Sequence, residues 1–329
     1  MIIDKLKIDI SIVIVNYKSW KHLENCLDSI NLSVSKDFSL EVIIVDNCSH
    51  DDLFEVFKKK FPQLNFIENT GNNGFANGCN LGAKNSNGDF LLFLNPDTII
   101  SETALLKIFN YAKGNKNVGI VSCNQRNTNG SYEKNTRFFP DSETLFGSFR
   151  AVFKKRLNAK ILNKNNVLYP DWVSGAIVFI SKTWFDKVNG WNEDFWMYYE
   201  DVDLSKKVSK LGAQIVLLTD TEIIHNHGGS SRLNIKTAKI TKTELIISKH
   251  VYIKNHFKGL KYFILQFLVV LTTVISKLIL ALLGVFFFFV PKLRFNFYLC
   301  IELMTYYLFA IKNRTWLSRK SMKHPNKTN

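Results

Sequence analysis

The sequence predicts an α/β fold: a mostly parallel, doubly wound, Rossmann-like sheet flanked by helices, with an apolar helical tail behind it. Three observations carry this. Residues 10–15, 41–45 and 91–94 are short, almost unbroken apolar runs, as strands buried on both faces are. Helical patterns alternate with them, as in a chain of βαβ units. From residue 259 onward two long apolar stretches are edged with Lys and Arg, the pattern of helices that seek an anionic membrane surface.

The first run ends at Asn16 and Tyr17. Ser19 is placed to cap a helix through Ile30, in which Trp20, Leu23, Leu27 and Ile30 recur at helical spacing. The second run stops at Asp46. Asp51 and Asp52 open a helix over 53–60, and residues 64–67 make a short strand. Two strand ends, Asn16-Tyr17 and Asp46, then line one crevice. An aromatic face and a carboxylate suit a base and ribose there, although Asp46 reads equally well as a turn residue.

Residues 69–80 are rich in Gly and Asn and precede a helix from Phe75 to about Asn85. Such backbone lets a diphosphate approach a helix N-terminus. Taken alone the stretch also reads as an ordinary turn, and it is neither a Walker loop nor a G-x-G-x-x-G fingerprint. The third run meets Asn95-Pro96-Asp97. Pro96 has no N–H to give a ladder, which fixes where the strand stops. Asp97 therefore stands at the carboxyl edge of the sheet, where open α/β sheets bind ligands. It either helps hold a hard cation with its phosphate ligands or caps the next helix with Thr98 or Ser101.

Residues 119–123 read as a strand and 127–130 as a hairpin turn. Residues 142–167 read as a variable acceptor-side insertion, whose Lys154, Lys155 and Arg156 also fit a solvated basic face. Residues 171–180, with Trp172 near the start, read as a strand entered through Gly175, where a small residue lets a sugar come close. A short helix follows over 182–188. In residues 192–204 acids alternate with aromatics and open a helix at about 202–211. The helix dipole favours carboxylates in a first turn. Glu200, Asp201 and Asp203 beside Trp196, Tyr198 and Tyr199 exceed what a cap needs, and aromatic faces suit sugar rings. A strand over 214–218 leads to His225-Asn226-His227-Gly228-Gly229 and Arg232.

In this order and spacing, the motifs ending at Asn16-Tyr17, Asp46-Asn47, Asn73-Gly74-Phe75 through Asn80, and Asn95-Pro96-Asp97 resemble the family 2 glycosyltransferases with a GT-A fold. The rhamnosyltransferase branch is the nearest match, over residues 10–232. The resemblance implies inverting transfer of a sugar from a nucleotide donor. Asn16, Tyr17, Asp46, Asn73, Gly74, Phe75, Asn80, Asn95, Asp97 and Arg232 would bind that donor. Trp172, Gly175, Trp196, Tyr198 and Tyr199 would face the acceptor. Asp201 would be the general base, with Glu200 as its orienting neighbour or backup. Asp97 and His225, with His227 as the alternative, would hold Mn²⁺ or Mg²⁺. The family's Asp-x-Asp element reads Asn95-Pro96-Asp97 here, so only its second carboxylate is present. The implied donor is dTDP-rhamnose, or else a UDP-sugar or another nucleotide sugar. The implied acceptor is a lipid-linked saccharide of a bacterial surface polysaccharide such as O-antigen, in the cell envelope.

Five scattered cysteines without a C-x-x-C pair argue against a disulfide framework or zinc site and fit a reducing compartment. Residues 1–10 carry Asp4 and Asp9 and no long apolar run, so no secretory leader is expected. The net charge is +15, and residues 259–329 hold ten Lys/Arg against the single acid Glu302. Because that charge is interleaved with apolar runs, a membrane surface is the expected partner and nucleic acid is not. The expected organisation is a glycosyltransferase domain over 1–247 and a basic, apolar helical region over 248–329. The first comprises a nucleotide-binding half over about 8–125 and an acceptor half over about 126–247. The tail either crosses the bacterial inner membrane as a hairpin or lies on its cytoplasmic face, the preferred side of Lys/Arg flanks. A buried helical subdomain is the other reading of the tail. A function of another class is a non-catalytic, nucleotide-sugar-binding membrane scaffold, suggested by Asn95 standing where a carboxylate is expected.

Overall fold

The computed structural model describes residues 7–30, 37–134, 137–141, 144–145, 163–226 and 235–325. The chain divides into two compact units, Met1–Asn192 with Glu200–Gly229, and Glu193–Tyr199 with Ser230–Asn329.

Among the described residues, the first unit is a ten-stranded mixed sheet with helices on both faces. Its first half runs β1 (Ile10–Asn16), α1 (Trp20–Ser29), β2 (Leu40–Asp46), α2 (Leu53–Lys60), β3 (Asn65–Glu68), α3 (Phe75–Lys84) and β4 (Phe90–Leu94). β5 (Thr98–Ile99), α4 (Glu102–Gly114), β6 (Val118–Arg126), β7 (Asn163–Lys164), β8 (Val167–Leu168) and β9 (Ile177–Ser181) follow. α5 (Lys182–Lys187), α6 (Glu200–Lys210) and β10 (Gln214–His225) close the unit. The strand order is β3-β2-β1-β4-β9-β6-β10-β8-β7, with β5 paired to β10. β3, β2, β1 and β4 are mutually parallel, whereas β9 is antiparallel to β4 and β6.

The chain leaves β1 toward β2 and β3, then returns to place β4 on the other side of β1. That reversal opens a crevice at the carboxyl ends of β1 and β4, the usual ligand position in such sheets. The apolar runs are unbroken because both sheet faces are covered. Ile10, Ile12 and Ile14 pack with Leu23, Phe57 and Phe109 on one side. Val13 and Val15 pack with Ala76, Cys79, Phe185 and Leu204 on the other. α3 lies so close to β1 that a Cβ on Gly82 would stand 2.3 Å from Val13 Cγ1.

Several elements differ from their sequence reading. Ser19 occupies the cap position of α1, but its hydroxyl donates to the Tyr17 carbonyl and no side-chain cap forms. α6 starts at Glu200 instead of near residue 202, so both acids belong to the helix. The strand expected from residue 171 begins at Ile177. Ahead of it the Ile177 N–H turns back to the Ser174 carbonyl, and the Ala176 carbonyl accepts from Asn95 N–H. β10 runs on to His225 through an irregularity after Leu218, a continuation hidden by the polar residues 219–222. The basic cluster 154–156 lies outside the described residues.

The second unit contains α7 (Ile235–His256), α8 (Gly259–Phe286) and α9 (Pro291–Asn313). Its interior is partly polar. His250 is fully buried, stacks on Trp316 at 4.5 Å, and meets Gln266 and the Tyr307 hydroxyl. Burial pushes His250 down to about 4. Residues 193–199 belong to this unit by named contacts. The Ser248 hydroxyl donates to Met197 O at 2.7 Å, Ser321 Oγ to Glu193 O at 3.0 Å, and Asn255 Nδ2 to Asp194 Oδ2 at 3.3 Å. α8 is long and apolar enough to cross a membrane, the one such helix among the described residues.

Candidate active site

β1 and β2 deliver their last residues side by side, since Asn16 pairs with Asp46 in the ladder. Asn16 Nδ2 donates to Asp46 Oδ1 at 2.9 Å. Ser49 Oγ donates to the same oxygen at 2.6 Å, and Ser49 N–H to Oδ2 at 2.8 Å. Both side chains are buried, whereas Tyr17 is 42% exposed. The buried pair thus fixes the 46–49 turn and leaves Tyr17 as the open aromatic surface.

The Asn-rich loop is held by its own amides. Asn69 Nδ2 reaches Asn47 Oδ1 and Asn77 Oδ1 at 2.8 Å each, and Asn47 Nδ2 donates to Gly74 O at 3.1 Å. Gly74 has φ 98° and ψ 168°, a region open essentially to glycine alone. This bend presents Asn73 and starts α3 at Phe75. Asn80 has both ends of its amide on Trp191, Oδ1 accepting from N–H at 3.0 Å and Nδ2 donating to O at 2.9 Å. That clamp seats the Trp191 ring edge-on against Phe75 and Phe93.

After β4, the Asn95 carbonyl accepts from the Thr98 hydroxyl at 2.7 Å. This turn holds Asp97 next to the end of β10. Asp97 Oδ1 lies 3.4 Å from His225 Nε2. On its other side, His225 Nδ1 donates to Gln125 Oε1 and Glu133 Oε1, both at 3.1 Å. Glu133 Oε2 accepts from Arg137 Nη2 at 2.8 Å. The Arg137 guanidinium lies 4.6 Å from the centre of the Trp172 ring, whose Nε1 donates to Phe138 O. Burial opposes charge on His225, but Asp97 and Glu133 lift it to about 9. Among the described residues no group of three or more His, Cys, Asp and Glu is arranged to hold a metal ion.

Gly175 joins this region to the second acidic centre. Its N–H donates to Asp201 Oδ2 at 3.0 Å, and Asp201 Oδ1 accepts from Val202 N–H at 2.8 Å. A Cβ on Gly175 would stand 3.5 Å from Asp201 Cβ and 3.6 Å from the Phe75 ring. Phe75, Gly175 and Asp201 therefore meet at one place. Burial raises Asp201 above the ordinary aspartate range, while the Gly175 N–H and the Arg137 guanidinium pull it back. Burial, and then the Asp201 charge, push Glu200 well above the ordinary glutamate range. Glu200 Oε2 has no hydrogen-bond partner. Two backbone N–H groups and the Arg137 guanidinium, all of which favour a negative charge, thus stand at Asp201.

Trp196, Tyr198 and Tyr199 lie in the helical unit. Trp196 is buried with Lys320 Nζ 4.2 Å from its ring centre, and Tyr199 packs on Tyr252 at 5.6 Å. Tyr198 and Tyr199 have φ of 72° and 67°, a strained turn for bulky residues. His227 and Arg232 lie outside the described residues.

The sequence reading missed Gln125, Glu133 and Arg137. The available signal was faint: two opposite charges four residues apart, just after a hairpin turn.

The model of the family described as glycosyl transferase family 2 matches residues 11–182, and one described as the N-terminal domain of galactosyltransferase matches residues 160–228. The chain is a family 2 glycosyltransferase. It is similar to the low-salt glycan biosynthesis hexosyltransferase Agl10 of Haloferax volcanii, with 29% identity over 66% of this chain and 67% of that one. It is also similar to the N-acetylglucosaminyl-diphospho-decaprenol L-rhamnosyltransferase of Mycobacterium tuberculosis, with 25% identity over 67% of this chain and 76% of the relative. Among solved structures it resembles GalNAc-T7 with UDP, GalNAc and Mn²⁺, with TM-score 0.52 and 15% identity over 73% of this chain. The match covers 48% of that structure, about half its length. The fold of this family 2 enzyme is therefore GT-A, a mixed α/β sheet with flanking helices.

Proposed function

We propose that this glycosyltransferase moves L-rhamnose from dTDP-rhamnose, with inversion, onto a lipid-linked saccharide for a bacterial surface polysaccharide. The observation that carries the mechanism is the asymmetry between Asp201 and Glu200. Asp201 receives two backbone N–H groups and the influence of Arg137, whereas Glu200 is buried with Oε2 unpartnered, and burial and the Asp201 charge push it well above the ordinary glutamate range. A single ionised base is what direct displacement needs.

In the proposed step Asp201 takes the proton of the acceptor hydroxyl. The hydroxyl oxygen forms its bond to the anomeric carbon as the bond from that carbon to the phosphate oxygen breaks. The electron pair leaves with dTDP. Tyr17 offers a stacking face to the base, and Asn16 and Asp46 hold the turn beside it. The bend at Asn73 and Gly74 keeps backbone close to the diphosphate.

Asp97 and His225 would hold a divalent cation with loss of the proton that Asp97 and Glu133 favour on the imidazole. Two ligand atoms on adjacent positions of one ion stand roughly 3 Å apart, comparable to the 3.4 Å between Asp97 Oδ1 and His225 Nε2. Gln125 and Glu133 orient the imidazole from its far side, as partners of metal-bound histidines do. Few protein ligands suffice where substrate phosphates complete the shell. When bound, Mn²⁺ or Mg²⁺ supplies charge neutralisation to the leaving diphosphate. His225 also offers the second donor atom that Asn95 denies, which favours the catalytic reading over a non-catalytic scaffold. His227 and Arg232 keep their proposed roles as alternative ligand and phosphate contact.

The rhamnosyl donor is favoured by the relative named as an L-rhamnosyltransferase, and a UDP-sugar is the competing donor. The apolar helix α8 and its basic flanks support work at the cytoplasmic face of the inner membrane. The test is nucleoside diphosphate release by purified protein with Mn²⁺ over a panel of nucleotide sugars and a lipid-diphosphate saccharide. Fastest release is expected from dTDP-rhamnose. Turnover confined to another donor overturns the rhamnosyl assignment, and no turnover of any donor overturns the enzyme reading.

A further inference from the structure

We infer that the α8–α9 hairpin lies flat in the headgroup region of an anionic bilayer, with α7 covering its inner side, and does not cross the membrane. This rests on the reading of an enzyme that works at a membrane and adds the orientation.

The hairpin has two unlike faces. Phe263, Phe267, Leu271, Ile275, Leu282 and Phe286 recur along one side of α8 and are all exposed, Phe263 at 66% and Phe286 at 77%. Ile301, Leu308 and Ile311 extend the apolar surface onto α9. The opposite side of α8 is packed. Leu265, Val269 and Gly284 are buried there, and a Cβ on Gly284 would stand 2.7 Å from the Leu293 carbonyl.

The polar groups of the hairpin's middle are paired within the unit. Lys277 Nζ reaches Asn296 Oδ1 at 3.5 Å, and Glu302 Oε2 pairs with Lys239 Nζ of α7 at 2.9 Å. Further along α7, the His250 carbonyl accepts from Gln266 Nε2 at 3.0 Å, and the His250 ring meets the Tyr307 hydroxyl. α7 thus accompanies the hairpin from Lys239 to His250.

A crossing hairpin would carry the Lys239–Glu302 pair and the neighbouring Lys242 to bilayer depth, where charges are costly. It would also need a cation-poor far end. Instead Lys258, Lys261, Lys312 and Arg314 sit at one end, and Lys292 and Arg294 at the other. Cations at both ends, an open apolar face and a charged pair shared with α7 at mid-length describe a helix pair lying in the interface. The cations match anionic headgroups.

The full-length protein is tested with vesicles of phosphatidylglycerol and phosphatidylethanolamine, and with phosphatidylcholine alone. Flotation is expected with the anionic vesicles and at least tenfold less with the neutral ones. Phe267→Asp should lower anionic partition roughly tenfold. Spin labels on Phe263→Cys, Ile275→Cys and Phe289→Cys should report similar shallow depths, about 5–10 Å below the headgroups. A depth that increases steadily from 263 to 289, or a label at 289 reached only from the far leaflet, overturns the flat orientation while leaving a membrane enzyme intact. No flotation with either vesicle, with self-association or another protein covering the face, overturns the lipid assignment. Donor turnover in the same preparation is scored separately and bears only on the catalytic reading.

Discussion

The backbone N–H of Gly175 donates to Asp201 Oδ2 at 3.0 Å. This bond ties the start of α6 to the segment entering β9, and β9 pairs with β4, the strand that leads to Asp97. A methyl group on Gly175 meets Phe75 and Asp201 at ordinary contact distances. Gly175→Ala should therefore fold with stability within about 0.5 kcal/mol of the parent. It should still lower kcat/KM about tenfold by filling the space before the base. Unchanged kinetics would remove Gly175 from the cleft.

Arg137 restrains the acidity shift of Asp201 while tied to Glu133. Burial raises Asp201, so activity should fall on the acid side at a pH above the ordinary aspartate range, as the base gains its proton. Arg137→Gln removes the opposing charge and should move that acid limb to higher pH. A pH–rate profile measures it. A fall in rate at every pH with no displacement of the limb would assign Arg137 to folding alone.

Gly82 faces the Val13 methyl across a gap that admits no Cβ, 2.3 Å. Gly82→Ala should destabilise the first unit by about 1–3 kcal/mol through overpacking, outweighing the roughly 1 kcal/mol that alanine adds to a helix. Denaturant unfolding checks this. A stabilised variant would mean that α3 shifts freely over β1.

Burial lifts Glu244 to about 7, against the Ser318 hydroxyl that donates to it at 2.8 Å. The folded value lies above the ordinary 4.5. Its stabilising contribution is therefore whole below about pH 4.5 and lost as pH rises through about 7. Amide exchange in α7 should quicken between about pH 4.5 and 7 beyond the intrinsic rate, by at most about 1.4 kcal/mol per pH unit, and level off above about 7. Glu244→Gln should remove that excess. Equal pH dependence in both proteins would contradict the assignment.

The sheet was legible because β1, β2 and β4 are buried on both faces, which leaves unbroken apolar runs in the sequence. Asp97 was legible because Pro96 ends its strand, and Asp201 because three acids open one helix. Gln125, Glu133 and Arg137 were not, since Glu133 and Arg137 lie in irregular chain without periodicity and meet His225 only through the fold. The length of β10 was hidden because its polar middle breaks the apolar pattern where its pairing shifts register. The allegiance of residues 193–199 to the helical unit was also invisible. It rests on Ser248, Asn255 and Ser321, more than fifty residues away in sequence.

The most direct test compares the parent with Asp201→Asn, measuring donor affinity by calorimetry and dTDP release from dTDP-rhamnose in the presence of acceptor. The account predicts a donor Kd within about threefold of the parent and a turnover lower by about 10²–10⁴, the usual contribution of a general base. Full turnover by Asp201→Asn would contradict it.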